Sequence, residues 1–146
     1  MNENIIDIIG TYCSYLHEWN AAYENYAKSV ELNFTSLSIL SVLYETENCT
    51  QKMLCKQCFL PKQTVNAAVT NFYKKGWIRM QELPEDRRNK TIYFTMDGQR
   101  EAERIIQKVR ESERQAMGRL SQEEQEQLLS LTHRYVNACK TAMKEL

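Results

Sequence analysis

The side chains best suited to chemistry are cations and amides concentrated between Thr50 and Gly98. Residues 50–100 contain ten lysines and arginines against four acids, a charge of +6. Residues 1–49 contain one base and seven acids, a charge of −6, and residues 101–146 contain eight of each. A local basic patch can attract phosphate even in a neutral chain. The pattern indicates a nucleic-acid-binding surface, with chance clustering of surface charge as the alternative.

Two short helices and a hairpin are predicted to carry these side chains. Thr50 can cap the first helix, Pro61 opens the second in its first turn, and Gly76 ends it. Two alternating stretches predict the strands of a hairpin, Trp77–Leu83 and Thr91–Thr95, with P-E-D-R-R-N-K as the turn. Such a helix pair can present its second helix to a DNA groove, and a basic β-ribbon can reach the neighbouring backbone or minor groove. This order of elements is that of a winged helix-turn-helix.

Longer helices are predicted on both sides of this core. Residues 4–28 form a helix whose apolar stripe is unusually aromatic: Ile5, Ile9, Tyr12, Leu16, Trp19, Tyr23 and Tyr26. Thr35 is expected to cap the next helix. After the hairpin, residues 96–120 read as a helix, and Ser121 with Glu124 forms a capping-box pattern that starts the last one.

The outer helices carry more apolar surface than a small core uses, so they are expected to pack on another helix. A homodimer would bury that surface and present two reading heads to a pseudo-palindromic DNA site. The predicted fold is therefore mainly α with a small β wing. A winged helix-turn-helix region, 31–98, is flanked by a helical dimerisation region, 1–30 and 99–146, within one compact chain.

Three sequence stretches in this order resemble the MarR family of bacterial winged-helix regulators. L-P-K-Q-T-V-N is similar to the opening of the family's recognition helix, and K-K-G-W-I to its exit into the wing. P-E-D-R-R-N-K followed by F-T-M-D-G resembles the family's wing signature, an Asp-x-Arg tip and a Leu-Thr-x-x-Gly exit. The resemblance implies a DNA-binding transcriptional regulator, most often a repressor that a signal releases.

The resemblance also implies roles for individual residues. Asp86 would orient Arg88, and Arg88 would enter the narrow, negative minor groove. Phosphate contacts would come from Arg87 and Lys90 and from the first turn of the preceding helix, at Thr50, Gln51 and Lys52. The opening turns of the recognition helix would face base edges in the major groove, at Lys62, Gln63, Thr64 and Asn66, and Pro61 at the start of that helix would also lie in the DNA-binding surface.

Five cysteines raise the possibility of thiol sensing. Their odd number argues against a disulfide framework, and no second Cys or His pair follows Cys55-x-x-Cys58 at zinc-site spacing, so no metal is expected. Free cysteines are often small apolar core residues. The alternative is that oxidation of Cys13, or of Cys55 and Cys58, weakens DNA binding, as in some MarR-like regulators.

A small-molecule pocket is the other way in which such a regulator could be controlled. Tyr12, Tyr15, Trp19 and Tyr23 offer aromatic walls with polar tips, which suit a small aromatic effector. The plainer alternative is that the same stripe packs in the dimer.

Other classes of protein fit the sequence less well. It contains no Gly-rich phosphate loop, nucleophile elbow, paired carboxylate site or metal motif, so neither an enzyme nor a cofactor is expected. No apolar run approaches a membrane span, and the acidic N-terminus lacks the basic region of a signal peptide, which predicts a cytoplasmic protein without membrane contact. The competing function is a winged-helix module that binds proteins and not DNA.

Overall fold

The computed structural model of the chain describes residues 3–146. These residues form six helices and one antiparallel pair of strands: α1 (Glu3–Ser29), α2 (Phe34–Glu45), α3 (Gln51–Cys58), α4 (Lys62–Lys74), β1 (Ile78–Leu83), β2 (Asp86–Phe94), α5 (Met96–Met117) and α6 (Gln122–Lys144). The predicted fold, mainly α with a small β wing, is confirmed. Among residues 3–146, no helix combines the length and apolar character that crossing a membrane requires.

The chain divides into two compact units, one ending at Ile106 and the other comprising Gln107–Leu146. The first unit contains the core, in which side chains of α2, α3, α4 and the sheet are fully buried, among them Ile39, Leu40, Leu54, Val65 and Phe72. Burial of these apolar side chains is the main force that fixes α3 and α4 against each other. The predicted division into 1–30 with 99–146 and 31–98 remains a prediction.

Polar contacts attach α1 to the rest of the first unit. The Glu24 carboxylate accepts a hydrogen bond from the backbone N–H of Phe34 at 2.8 Å, and the Tyr26 hydroxyl donates to the Ile105 carbonyl at 3.0 Å. Burial raises the pKa of Tyr26, an effect that nearby Arg104 partly offsets. Because Ala27 is also fully buried, the last turns of α1 belong to the core.

The start of α2 differs from the prediction. Asn33, not Thr35, is the N-cap, and its side-chain oxygen accepts from the backbone N–H of Ser36 at 2.7 Å. Both residue types cap helices well. With Asn33 as the cap, Phe34 is the first residue of the helix, and its N–H, which has no partner within the helix, is satisfied by Glu24.

The wing is the β1–β2 hairpin, and its second strand is longer than predicted. β1 and β2 pair from Ile78↔Phe94 to Glu82↔Lys90, after which the register shifts to Leu83↔Asp86. The predicted seven-residue turn is wrong in extent, since D-R-R-N-K is extended and belongs to β2. Only the two ends of this stretch pair with β1, Asp86 with Leu83 and Lys90 with Glu82, and pairing at both ends outweighs the weak strand propensity of these polar residues.

The wing leads directly into α5 through Thr95. Its hydroxyl donates to the Gly76 carbonyl at 2.6 Å and accepts from the backbone N–H of Gly98 at 3.0 Å, which caps the helix. A Cβ atom on Gly98 would overlap the backbone carbonyl of Trp77, so this close approach needs glycine.

The second unit ends in α6, a helix of 23 residues. The predicted capping box is present: Ser121 Oγ accepts from the Glu124 backbone N–H at 3.1 Å, and Glu124 Oε1 accepts from the Ser121 backbone N–H at 2.8 Å. None of the residues of α6, all of which the structure describes, is buried. Large apolar side chains along it are exposed, including Leu128, Leu129, Leu131, Val136 and Met143.

Candidate nucleic-acid interface

The second helix of the pair, α4, has one buried and one exposed side. Val65, Ala68, Val69 and Phe72 are buried at helical spacing, which fixes the rotation of the helix about its own axis. The opposite side of the first turns is therefore open to solvent. It presents four of the predicted site residues as exposed side chains, Pro61, Lys62, Gln63 and Asn66, while Thr64 is half-buried.

The start of α3 uses the Thr50 side chain for its own structure. Thr50 is the N-cap, and its hydroxyl accepts from the backbone N–H of Met53 at 3.2 Å. Thr50 is also buried and forms an isolated antiparallel bridge with Thr91 of β2. What remains available in this turn is the exposed cation of Lys52, the side chain of Gln51 and the first backbone N–H groups of the helix.

A hydrogen bond between two predicted site residues joins α3 to α4. Gln51 Nε2 donates to Asn66 Oδ1 at 3.1 Å, at an exposed position. The Thr50–Thr91 bridge is the next contact, and Lys90 precedes Thr91 on β2. The start of α3 thus connects the exposed side of α4 to the wing.

The wing carries its cations toward the turn. Arg87, Arg88 and Lys90 are exposed. Asp86 Oδ1 accepts from the backbone N–H of Arg88 at 3.1 Å, so the carboxylate acts on the backbone of Arg88. This bond fixes the chain at the arginine pair, as short polar side chains do in turns.

The twelve predicted residues are called the candidate surface below. They comprise Thr50, Gln51, Lys52, Pro61, Lys62, Gln63, Thr64, Asn66, Asp86, Arg87, Arg88 and Lys90. The set holds five cations and one carboxylate, which together attract a polyanion. Its side-chain amides and first-turn N–H groups can donate hydrogen bonds to phosphates or base edges.

The wing carries a further exposed cation, Arg79, that the sequence patterns did not predict. Arg79 lies on β1 directly opposite Tyr93 of β2, and its guanidinium lies 5.0 Å from the centroid of the Tyr93 ring. An arginine stacked on an aromatic ring keeps its charge and loses freedom. Alternation along R-M-Q-E and along I-Y-F indicates which residues of each strand share a face. The strand register is also needed to place Arg79 opposite Tyr93.

The thiols lie in different environments. Cys13 of α1 is exposed, whereas Cys55 and Cys58 of α3 are half-buried. Cys49, which sequence analysis did not single out, is fully buried, and burial, with a smaller effect of Cys58, raises its pKa to about 11. Burial, and then Cys55, also raises the pKa of Cys58. Because the thiolate is the reactive form, neutral pH disfavours reaction at Cys49 and Cys58.

The aromatic stripe of α1 is partly open and partly packed. Tyr15 and Trp19 are exposed, whereas Tyr12 and Tyr23 are half-buried. The Trp19 and Tyr23 rings lie 6.1 Å apart, and Tyr23 lies 5.5 Å from Phe34 of α2. These tilted ring contacts join the Trp19 and Tyr23 end of the aromatic stripe to α2 in the core of the first unit. Within residues 3–146, no group of three potential metal ligands comes together.

Comparison with known protein sequences identifies similarity to transcriptional regulators. A model of the MarR family matches residues 31–89. The HTH-type transcriptional regulator SarZ from Staphylococcus haemolyticus (strain JCSC1435) is 29% identical over 76 residues, which cover 52% of this chain and 52% of SarZ. The chain therefore matches about half the length of this curated relative.

Solved structures share the fold over almost the whole chain. A MarR family regulator from Neisseria meningitidis has a TM-score of 0.79 with 21% identity, and the match covers 99% of each chain. The protein of an S. aureus MepR–DNA complex has a TM-score of 0.76 with 21% identity, over 88% of this chain and 95% of MepR. At these identities, the likeness establishes a shared winged-helix fold that includes the outer helices.

Proposed function

The chain belongs to the MarR family of transcriptional regulators, and on that premise we propose that it binds double-stranded DNA through the candidate surface. It is a regulator and not an enzyme, as the sequence predicts. The observation that carries the proposal is the continuous set of contacts from Asn66 through Gln51 and Thr50 to Thr91. It joins the exposed side of α4 to the wing.

Each part of the candidate surface has a role in this proposal. The exposed side of α4 enters the major groove, where Lys62, Gln63 and Asn66 face base edges. The first turn of α3 holds a phosphate through Lys52 and its free N–H groups, because the Thr50 hydroxyl is used in the cap. Arg88, on a backbone fixed by Asp86, enters the minor groove.

We also propose that the protein is a homodimer and acts in the cytoplasm. Apolar side chains of α1 and α6 are exposed on the single chain, and a second copy would cover them. A two-fold axis would place two candidate surfaces on the half-sites of a pseudo-palindromic operator. The MepR–DNA complex, which has the same fold, supports DNA as the partner.

We further propose that the protein is a repressor and that a signal releases it from DNA. Two kinds of signal are compatible with the structure. The exposed thiol of Cys13 is better placed for oxidation than Cys55 or Cys58, which are half-buried. The exposed Tyr15 and Trp19 could instead contact a small aromatic effector together with Tyr12 and Tyr23. If Cys13→Ser protein loses DNA on peroxide treatment as wild type does, the Cys13 hypothesis is wrong.

The decisive experiment measures binding to DNA from upstream of the protein's own gene at several salt concentrations. Wild type is expected to bind specifically, with an affinity that falls steeply as salt rises. Arg88→Ala should weaken binding by about 1–3 kcal/mol and flatten the salt dependence by about one unit of slope, because one cation leaves the groove.

The matched control is Arg119→Ala, which removes the same charge from an exposed position of the second unit. It should retain wild-type affinity and salt dependence. If wild type binds no upstream or random-sequence DNA even at low salt, DNA binding is wrong, and the protein-binding module becomes the better interpretation.

A further inference from the structure

The hydrogen bond between Gln51 and Asn66 carries information about which base is read. We propose that Gln51 is a positioning residue that turns the Asn66 amide so that it presents N–H donors to the major groove. The inference rests on the proposed function and deepens it, because it assigns a base preference to one position of the candidate surface.

The geometry constrains Asn66 from a second helix. Gln51 Nε2 donates to Asn66 Oδ1 at 3.1 Å, so the amide oxygen faces α3. Gln51 itself is the first residue of α3 and follows Thr50, which is fixed by the helix cap and by the bridge to β2. Asn66 neighbours Val65, which is fully buried and fixes the backbone of α4. Both ends of the bond are therefore held by packed elements.

This bond changes what the asparagine can read. A free asparagine reads adenine with both ends of its amide, because the oxygen accepts from N6 and the nitrogen donates to N7. Here the oxygen is turned toward Gln51 and accepts a hydrogen bond from it, and the two hydrogens on Nδ2 are the groups not used in that bond. Guanine presents two adjacent acceptors in the major groove, O6 and N7, whereas cytosine presents a donor. The expected preference is guanine first and cytosine last.

Selection from a random double-stranded DNA library tests this preference. Wild-type protein gives the consensus, and Asn66→Ala identifies the position that Asn66 reads, because discrimination is lost there. Gln51→Ala should lower the preference for guanine at that position by about fivefold, since the amide is then free to turn. In Asn66→Ala protein, the additional change Gln51→Ala should have no further effect on base preference.

Gln51→Glu is the sharper variant. A carboxylate accepts hydrogen bonds and cannot donate, so Asn66 must turn its nitrogen toward residue 51 and its oxygen toward the groove. The preference at the Asn66 position should then move from guanine to adenine or cytosine, whose amino groups donate. The negative charge of the glutamate by itself should weaken binding to every sequence alike and should not alter the preference between bases. A changed preference therefore reports the turned amide.

Gln57→Glu is the matched control, since it adds the same charge at an exposed position of the same helix. It should lower affinity without changing any base preference. The inference is wrong if Gln51→Glu keeps the wild-type preference or if Gln57→Glu changes it in the same way. Wild type that retains no DNA from the library even at low salt would overturn the proposed function itself, whereas a clear wild-type consensus that survives in both Gln51 variants would overturn only the role of Gln51.

Discussion

Helices α4 and α6 are stabilised in opposite ways. α4 has 13 residues and buries four apolar side chains in the core of its unit. α6 has 23 residues, and across its whole described length it buries none, although Leu131 and Leu129 are 59% and 68% exposed. The difference indicates that the position of α4 is determined by this chain, whereas α6 has apolar surface left for a partner.

The ends of the two helices show the same contrast. In the described structure, no side chain caps the start of α4, where Pro61 is the N-cap. α6 begins with a complete capping box. A helix held by core packing can do without a cap, because packing supplies most of the stability of helices in proteins. A helix without buried residues depends more on local bonds at its ends.

The core side of α4 gives the largest expected effect. Phe72 is fully buried, and its ring stacks on Trp77 with 5.8 Å between centroids. Phe72→Ala should lower the free energy of unfolding by about 3–5 kcal/mol, because it removes buried apolar surface and leaves a cavity. Urea unfolding followed by circular dichroism measures the change.

The next residue, Tyr73, is 58% exposed on the same helix and serves as the control. Tyr73→Ala should change the free energy of unfolding by no more than about 0.5 kcal/mol. Equal losses for the two variants would contradict the assignment of α4 to the core of the first unit.

The second prediction concerns the exposed apolar side of α6. Leu131→Glu should weaken the proposed homodimer by at least about 2 kcal/mol, or roughly thirtyfold in the dissociation constant, since it places a charge in an apolar contact. Sedimentation over a dilution series measures this constant.

Ser130→Glu adds the same charge at the preceding, exposed position, which lies about 100° from both Leu129 and Leu131 by the helical repeat and so faces away from the apolar side. It should leave the dissociation constant near that of wild type. If Leu131→Glu and wild type dissociate at the same concentration, α6 does not form the dimer contact. If Ser130→Glu weakens the dimer equally, charge alone and not the apolar side of α6 explains the effect.

Sequence patterns were most accurate where one local rule applied. Thr50 was correctly predicted as a cap because its hydroxyl needs only the backbone three residues on. The capping box of Ser121 and Glu124 is local in the same way. Asn33 and Thr35 are both good caps, however, and the helix starts after Asn33, where the Phe34 N–H is bonded to Glu24 of the preceding helix, a contact that no capping rule contains.

The candidate surface was predictable only in part for the same reason. The side of α4 that faces solvent follows from the spacing of its apolar residues. The bond between Gln51 and Asn66 depends on how α3 and α4 pack, and no local pattern contains that information. The length of β2 was also missed, because pairing with β1 is a tertiary effect on residues of low strand propensity.

The smallest expected effect tests whether the start of α6 is stabilised locally. The bond from the Ser121 backbone N–H, followed by the interaction with the Ser121 side chain, holds the pKa of Glu124 below its usual value. Its contribution to helix stability is therefore fully present above the ordinary glutamate pKa and is lost as pH falls through the lowered one. Circular dichroism should show a loss of helix over that acidic range in wild type and a smaller loss in Glu124→Gln.

Glu126→Gln removes a carboxylate from the same helix outside the capping box and should follow wild type. The difference between Glu124→Gln and wild type should also persist in Leu131→Glu protein, because the capping box lies within one chain and needs no partner. If wild type and Glu124→Gln lose the same amount of helix once the dimer dissociates, the start of α6 is stabilised by the partner and not by its capping box. The ends of α4 and α6 would then not differ in the way proposed.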